Sequence, residues 1–325
     1  MVNTTLIIII AIAAVAVVSV LIHFITYRRK INELKSIYDA NALKINNLKA
    51  KLSAQEETIK TESERCTKAN HENTSGIRYA KRIQSAAFSQ KEICSFFPEY
   101  FIYTKPHTIV TGDFYKATEI EHYKIFALAD CSGHGVPGGF LTMLGLSALK
   151  EALAKHFYDD NIDLAEILDE LRQFVKSSLR SNDDNPENIN DGMNLTLCAF
   201  DKKSNGIRFA GANQNVYVYS DGKLTTYNGD RMPIGWSFKG DGQFSEIFIP
   251  VKRGDMLYLT TDSLQNQFGG PDNTKFSTKR LTAMFEQIGN MTIEQQQNTV
   301  ATIVNEWIEG YDQIDDLTVA GVRIQ

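Results

Sequence analysis

The chain has 325 residues, 43% hydrophobic and 22% charged, with a formal net charge of −5, which allows one large or two smaller domains plus appendages. This acidic balance excludes the broad basic surface of a general nucleic-acid binder. The four cysteines, Cys66, Cys94, Cys131 and Cys198, form no CxxC pair, which removes zinc-finger and thioredoxin-like chemistry and favours a reduced, cytoplasmic setting for the main domain.

From Thr5 to Tyr27 the chain carries no Asp, Glu, Lys or Arg. At 1.5 Å per residue, roughly 20 such residues span a hydrocarbon core of about 30 Å, so residues 5–27 are predicted to form a transmembrane helix. A cleaved signal peptide carries its basic residues before the apolar run. Here Arg28, Arg29 and Lys30 follow it, so the positive-inside rule puts the amino terminus outside and everything after Arg28 in the cytoplasm. His23, inside the run, suits an interfacial or helix-packing role.

Ile31, Leu34, Tyr38, Asn41, Ile45, Leu48, Leu52, Gln55 and Ile59 recur at alternating steps of three and four, and no Gly or Pro interrupts residues 28–75. The pattern predicts a cytoplasmic coiled coil that pairs with a second copy; the plainer alternative is a single solvated helix. Gly76 then punctuates the chain. Residues 76–93 contain IRYAKRIQSAAFS, whose Ile77, Ala80, Ile83 and Ala87 share one face, as in a linker helix that carries a signal onward or an ordinary first helix of the next domain.

Residues 94–325 read as one domain. YKIFALAD, LTLCAF, IRFAGA, VYVYS, MLYLTTD and LTVAGVRI are strand-like, and Asn205-Gly206 and Asp221-Gly222 are turn signals. Helices are expected over Gly139 to His156, Leu164 to Leu179, Lys279 to Ile288 and Ile293 to Gly310, with an exposed polar loop over Ser181 to Asp191. Short links between strands favour antiparallel pairing with helices outside, which is an α+β layered fold.

Three aspartates stand at the ends of apolar runs. Asp130 closes IFALAD before Cys131-Ser132-Gly133-His134-Gly135, Asp262 closes MLYLTTD, and Asp113 follows Gly112 in a turn ahead of Phe114-Tyr115. Asp315-Asp316 precede the last strand. Carboxylates on rigid strand ends beside open loops suit a metal site. Each is equally at home as a turn or cap residue, and spacing alone does not bring four distant residues together.

Taken in order, GDFY, ALADCSGHGVPGGFLTMLG, DGMN, FAGAN, MPIG, TTDSLQNQFGG and DDLTV resemble bacterial PPM-type serine phosphatases, the protein phosphatase 2C-like enzymes of the SpoIIE/RsbU branch. The resemblance covers about Ile77 to Gln325. It implies a sandwich of two antiparallel β-sheets flanked by helices, preceded here by the transmembrane helix and coiled coil, with two Mn²⁺ or Mg²⁺ ions at one edge. Asp113 matches a first-metal ligand. Asp130 matches the aspartate that bridges both metals, with the Cys131 backbone carbonyl as an added ligand. Asp262 and Asp315 match ligands of the second metal, with Asp316 as the alternative. His134 is a candidate proton donor to the leaving group, equalled by water.

Two departures bear on activity. Ser263 follows Asp262 where most relatives have Gly, and a φ > 0 turn there would cost about a kcal/mol. Asn194 stands where close relatives have Asp. The resemblance implies a phosphoserine phosphatase of the bacterial cytoplasmic membrane. It would act on a phosphorylated cytoplasmic regulator, of the kind that antagonises an anti-sigma factor. The alternative is a pseudophosphatase that binds its partner as a scaffold without hydrolysis.

Overall fold

The computed structural model describes residues 2–88, 90–179, 191–204, 206–236 and 242–325. The predicted polar loop therefore lies outside the described residues except for Asp191, as does Asn205 of the first turn signal. The chain divides into two compact units, Met1–Asn73 and Thr74–Gln325.

The first unit is made entirely by helix α1 (Val2–Ala87), which also supplies the start of the second. Its apolar side chains from Leu6 to Tyr27 are exposed, and this stretch is long and apolar enough to cross a membrane. Ile31, Leu34, Tyr38, Ile45, Leu48, Leu52 and Ile59 are also exposed. Gly76 does not end the helix, contrary to its reading as punctuation. A single Gly in a long helix costs about 1 kcal/mol relative to Ala, too little to break it.

The second unit continues with α2 (Gln90–Phe96), β1 (Tyr100–Lys105), β2 (Asp113–Ile120), β3 (Tyr123–Cys131), α3 (Gly135–Lys155) and α4 (Leu164–Ser178). Then come β4 (Gly192–Asp201), β5 (Gly206–Ala212), β6 (Val216–Ser220), β7 (Lys223–Tyr227), β8 (Ile234–Gly235), β9 (Ile247–Pro250) and β10 (Met256–Thr260). The chain closes with α5 (Ser263–Asn266), β11 (Phe268–Gly269), β12 (Thr274–Lys275), α6 (Ser277–Ile288), α7 (Ile293–Ile308) and β13 (Leu317–Arg323).

One sheet has the order β1-β13-β10-β6-β7 and the other β2-β3-β4-β5-β9, with β8 beside β4; β11 and β12 form a separate ribbon. Every pairing within named strands is antiparallel. Helices α3 and α4 cover the second sheet, while α6 and α7 cover the first. The fold is thus the antiparallel α+β arrangement that the sequence implied. Local chemistry explains several boundaries. Asp163 caps α4 by accepting from Ala165 N at 2.8 Å, and Thr292 with Gln295 forms a capping box at α7. Asp221 and Gly222, at φ 51° and 77°, make the tight turn between β6 and β7.

The interior between the sheets is apolar through Phe126, Leu128, Phe209, Leu257 and Leu259, all 0% exposed. A second apolar layer, with Phe285, Val300 and Val304, lies beneath α6 and α7. Leu128→Ala, in the middle of β3, is expected to destabilise the Thr74–Gln325 unit by about 2–5 kcal/mol, read as a shift in its denaturation midpoint.

Candidate metal centre at the mouth of the sandwich

Strand register sets the first carboxylates. Asp113 on β2 pairs with Asp130 on β3, and Asp130 pairs with Asn194 on β4. Asp113 is the first residue of a strand rather than part of a turn, so its backbone is fixed by the sheet. Asp262 leaves the end of β10 and Asp315-Asp316 enter β13, the two central strands of the facing sheet. The topology therefore brings all the predicted aspartates to one mouth of the sandwich.

Asp113 ties the sheets together. Its Oδ2 accepts from Thr318 Oγ1 at 2.6 Å and from Thr261 Oγ1 at 3.3 Å, both on the opposite sheet or its edge. Its Oδ1 is buried with no hydrogen-bond partner. The carboxyl groups of Asp130 and Asp262 lie close enough to interact directly. Burial is the largest cause that pushes Asp113, Asp130 and Asp262 above the ordinary carboxylate range. The negative charges of neighbouring aspartates add to it, Asp130 acting on Asp113, Asp262 on Asp130 and Asp315 on Asp262.

The adjacent aspartates divide their work. Asp316 is 1% exposed, and its two oxygens accept from His107 N and Gly112 N, each at 2.7 Å. Asp315 is half-buried and only its Oδ1 is engaged, by Asp316 N at 2.8 Å. Asp315 is therefore free for a ligand, while Asp316 holds the loop before β2.

That loop is packed without slack. A Cβ on Gly112 would lie 2.6 Å from Gly133 O and 3.2 Å from Cys131 O, and one on Gly138 would lie 2.2 Å from Gly133 O. Gly133 and Gly135 have φ of 79° and 68°, so the Ser132–Gly135 bend needs glycine. Burial pushes the Cys131 thiol far above its usual value, which leaves only the backbone of this residue to serve a site. His134 is exposed at the start of α3, with its ring 4.1 Å from that of His107. His107 Nδ1 is buried without a hydrogen-bond partner.

Ser263 has ordinary helical geometry within α5 and is absent from the positive-φ residues, so no strained turn is needed there. Its hydroxyl is buried and unpartnered. Asn194 Oδ1 accepts from Asn213 Nδ2 at 3.0 Å.

Sequence reasoning missed three groups. Gln84, 3% exposed near the end of α1, bonds both backbone groups of Thr111: its Nε2 donates to Thr111 O at 2.6 Å, and its Oε1 accepts from Thr111 N at 3.1 Å. Its amide thus fixes the loop two residues ahead of Asp113. A cavity of about 350 Å³, lined by Lys81, Ser85, Thr111, Asp113 and Thr318 among others, lies beside this contact. Thr261 and Thr318 form the second group. The third is Lys275, whose charge draws Asp262 downward and whose Nζ donates to Asn266 Oδ1 at 3.2 Å. Only Gln84 had a signal, as the polar residue beside Ile83 in an amphipathic stretch.

Family-implied cations can be tested against this geometry. Among the described residues, no Lys or Arg forms an ion pair with Asp113, Asp130, Asp262 or Asp315, and Asp113 Oδ1 is unsatisfied. No group of three His, Cys, Asp or Glu side chains among the described residues converges closely enough to hold an ion alone. Mg²⁺-like ions commonly take one or two carboxylates and complete their shell with water, so this open, oxygen-only set fits them.

The SpoIIE family model (stage II sporulation protein E) matches residues 121–325. The SiaA-PP2C domain of Pseudomonas aeruginosa is 29% identical with a TM-score of 0.71, over 79% of this chain and 99% of that one. The phosphatase domain and regulatory fragment of SpoIIE from Bacillus subtilis is 18% identical with a TM-score of 0.56, over 70% of this chain and 63% of that one. The serine/threonine phosphatase of S. agalactiae shares the fold at 15% identity and a TM-score of 0.51, over 70% and 99%. No curated protein matches.

Two outcomes follow. Gln84→Ala leaves both backbone groups of Thr111 unpaired and is expected to cost about 1–3 kcal/mol, with faster amide exchange at Thr111. Groups with raised pKa stabilise the fold at low pH and cost stability as pH rises through their folded values. Asp130→Asn is therefore expected to raise the metal-free melting temperature at neutral pH, by roughly 2–4 °C per kcal/mol recovered.

Proposed function

We propose that this chain, which belongs to the SpoIIE family, is a membrane-anchored phosphatase that removes phosphate from serine or threonine of a cytoplasmic regulatory protein. Its second unit is a PP2C-type protein phosphatase domain, the fold of metal-dependent hydrolases. The observation that carries the proposal is the cluster of aspartates that form no ion pair among the described residues, with Asp113 Oδ1 buried and unsatisfied.

Asp113, Asp130, Asp262 and Asp315, with the Cys131 carbonyl, are the groups assigned to hold two Mn²⁺ or Mg²⁺ ions. When bound, such cations supply Lewis acidity, neutralising phosphoryl charge and making water a stronger nucleophile at neutral pH. The protein contributes placement. Thr261 and Thr318 aim Asp113, Asp316 and Gln84 hold the loop that carries it, and β3 presents Asp130 beside it. Lys275 adds positive charge next to Asp262, where an incoming phosphate would be attracted. His134, exposed at the start of α3, is assigned to give a proton to the leaving serine oxygen.

Residues 5–27 are assigned as the single membrane span, with the cytoplasmic side marked by Arg28, Arg29 and Lys30. Dimerisation is supported by the exposed heptad side chains of α1. It is also supported by exposed Tyr79 and Ile83, with Val136, Phe140 and Met143 on α3; the two helices meet where Gln84 lies 3.7 Å from the Cβ position of Gly139. A signal passing down α1 would reach Thr111 through Gln84. The substrate class rests on family resemblance: a phosphoserine regulator of the kind that antagonises an anti-sigma factor.

The scaffold alternative draws on Asn194 and on the unpartnered Ser263 hydroxyl. Phosphate release from a phosphoserine protein decides between them. Mn²⁺-dependent turnover that chelation removes, Mn²⁺ restores and Asp130→Ala abolishes supports the enzyme; no metal-dependent release leaves the scaffold. Asp315→Ala is expected to weaken Mn²⁺ binding with little change in stability. Asp316→Ala should instead lower stability by about 1–3 kcal/mol, because it orphans two backbone N–H groups. His134→Asn should slow phosphoserine hydrolysis by about 10²-fold yet spare p-nitrophenyl phosphate, whose leaving group needs no proton.

A further inference from the structure

The mouth of the sandwich opposite the aspartates holds a cavity of about 280 Å³, near the lower end of ligand-pocket sizes. Lys124 and Asp130 sit towards opposite ends of β3, six residues and so about 20 Å apart, which separates this cavity from the metal centre. Its floor is apolar and aromatic: Phe97 and Phe200, with ring centroids 4.8 Å apart, and the buried Val251 and Val322. Its wall carries Lys124, Lys202, Lys252, Arg253 and Arg323 against a single acidic side chain, that of Asp201.

The state of each charge decides what the cavity can take. Asp201 is spent on Lys203 N and Ser204 Oγ, both at 2.7 Å, and faces His122. Arg323 is fixed by Met291 O and Glu99. Lys202 and Lys252 pair with Glu119 and Asp221 at partly exposed positions, where such pairs are worth about 0–1 kcal/mol and exchange readily. Glu119 also stands opposite Lys124 in register, but its carboxylate is taken by Lys202. Among the described residues, Lys124 and Arg253 have no ion-pair partner. Lys124 is half-buried, with Phe200 as its cross-strand neighbour.

We infer that this basic mouth binds a phosphorylated small molecule with a flat ring, of the nucleoside monophosphate class. The phosphate would lie against Lys124 and Arg253, and the ring against the Phe97–Phe200 floor. The site is independent of the phosphatase chemistry, since none of its lining residues belongs to the aspartate cluster.

The test titrates AMP, adenosine and inorganic phosphate into the full chain in detergent micelles by calorimetry. EDTA is present so that no metal at the aspartates can capture phosphate. The expected result is saturable AMP binding, with adenosine and phosphate each weaker by at least about tenfold. Lys124→Gln and Arg253→Gln should each weaken AMP about tenfold or more, while Lys150→Gln on the exposed face of α3 changes nothing. Phe200→Ala should weaken AMP but not phosphate, and its melting curve reports whether the fold survives. Absence of AMP binding overturns the inference, as does binding indifferent to both cation variants. Phosphate binding as tight as AMP overturns the ring-binding part. AMP binding lost in Asp130→Ala instead would place the ligand at the metal centre and also overturn it.

Discussion

The buried carboxylate of Asp113 is hydrogen-bonded across the two sheets. Asp113 belongs to β2, and the hydroxyls that hold its Oδ2 belong to Thr318 of β13 and Thr261 just beyond β10. A carboxylate this deep in an apolar sandwich is costly unless its lone pairs are used. Two are used by the facing sheet, and Oδ1 is left over. Around this contact the other groups find their places: Asp130 beside it in register, Asp316 and Gln84 on the loop leading to it, and Thr142 against the same backbone.

The same mouth shows stability yielding to chemistry. Burial and mutual repulsion make the ionised aspartates a liability to the folded state at neutral pH, which divalent cations held there would relieve. The surrounding structure tolerates the strain because it is otherwise closely made. Thr142 Oγ1 lies within 3.1 Å of Thr111 O, Gly112 O and Gly138 O, and donates to one of them at a time. Gly112 and Gly138 bring their backbones closer to Gly133 O than any side chain would allow. The fold thus offsets an unfavourable charge cluster with main-chain bonding around it.

Much of this was legible from residue order. The alternating and β-branched runs located β3, β4, β5, β6, β10 and β13, and the 3.6-residue pattern located α4, α6 and α7 within a few residues. Asp130 and Asp262 stood out because strand ends and glycine-rich turns are local features. Strands β1, β2, β7 and β9 were harder, since YFIYTK and KLTTY alternate weakly and Asp113 reads as a turn residue. What stayed hidden depends on partners far along the chain. Thr318 meets Asp113 across 205 residues and Asp316 meets Gly112 across 204, so nothing in the spacing separates Asp315 from Asp316. The Ser263 departure reads differently in place. The left-handed turn that would make serine costly there is absent, since the chain enters α5 directly and the serine is helical.

The register Asp113–Asp130–Asn194 across β2, β3 and β4 has a consequence for how the protein acquires its activity. Side chains alternate faces along a strand, so a one-residue slip of β2 or β3 turns that strand's own aspartate away from the facing sheet. A sheet with one of these strands out of register keeps only part of the row. Competence at this mouth therefore waits on both pairings, β2 with β3 and β3 with β4, being made in register.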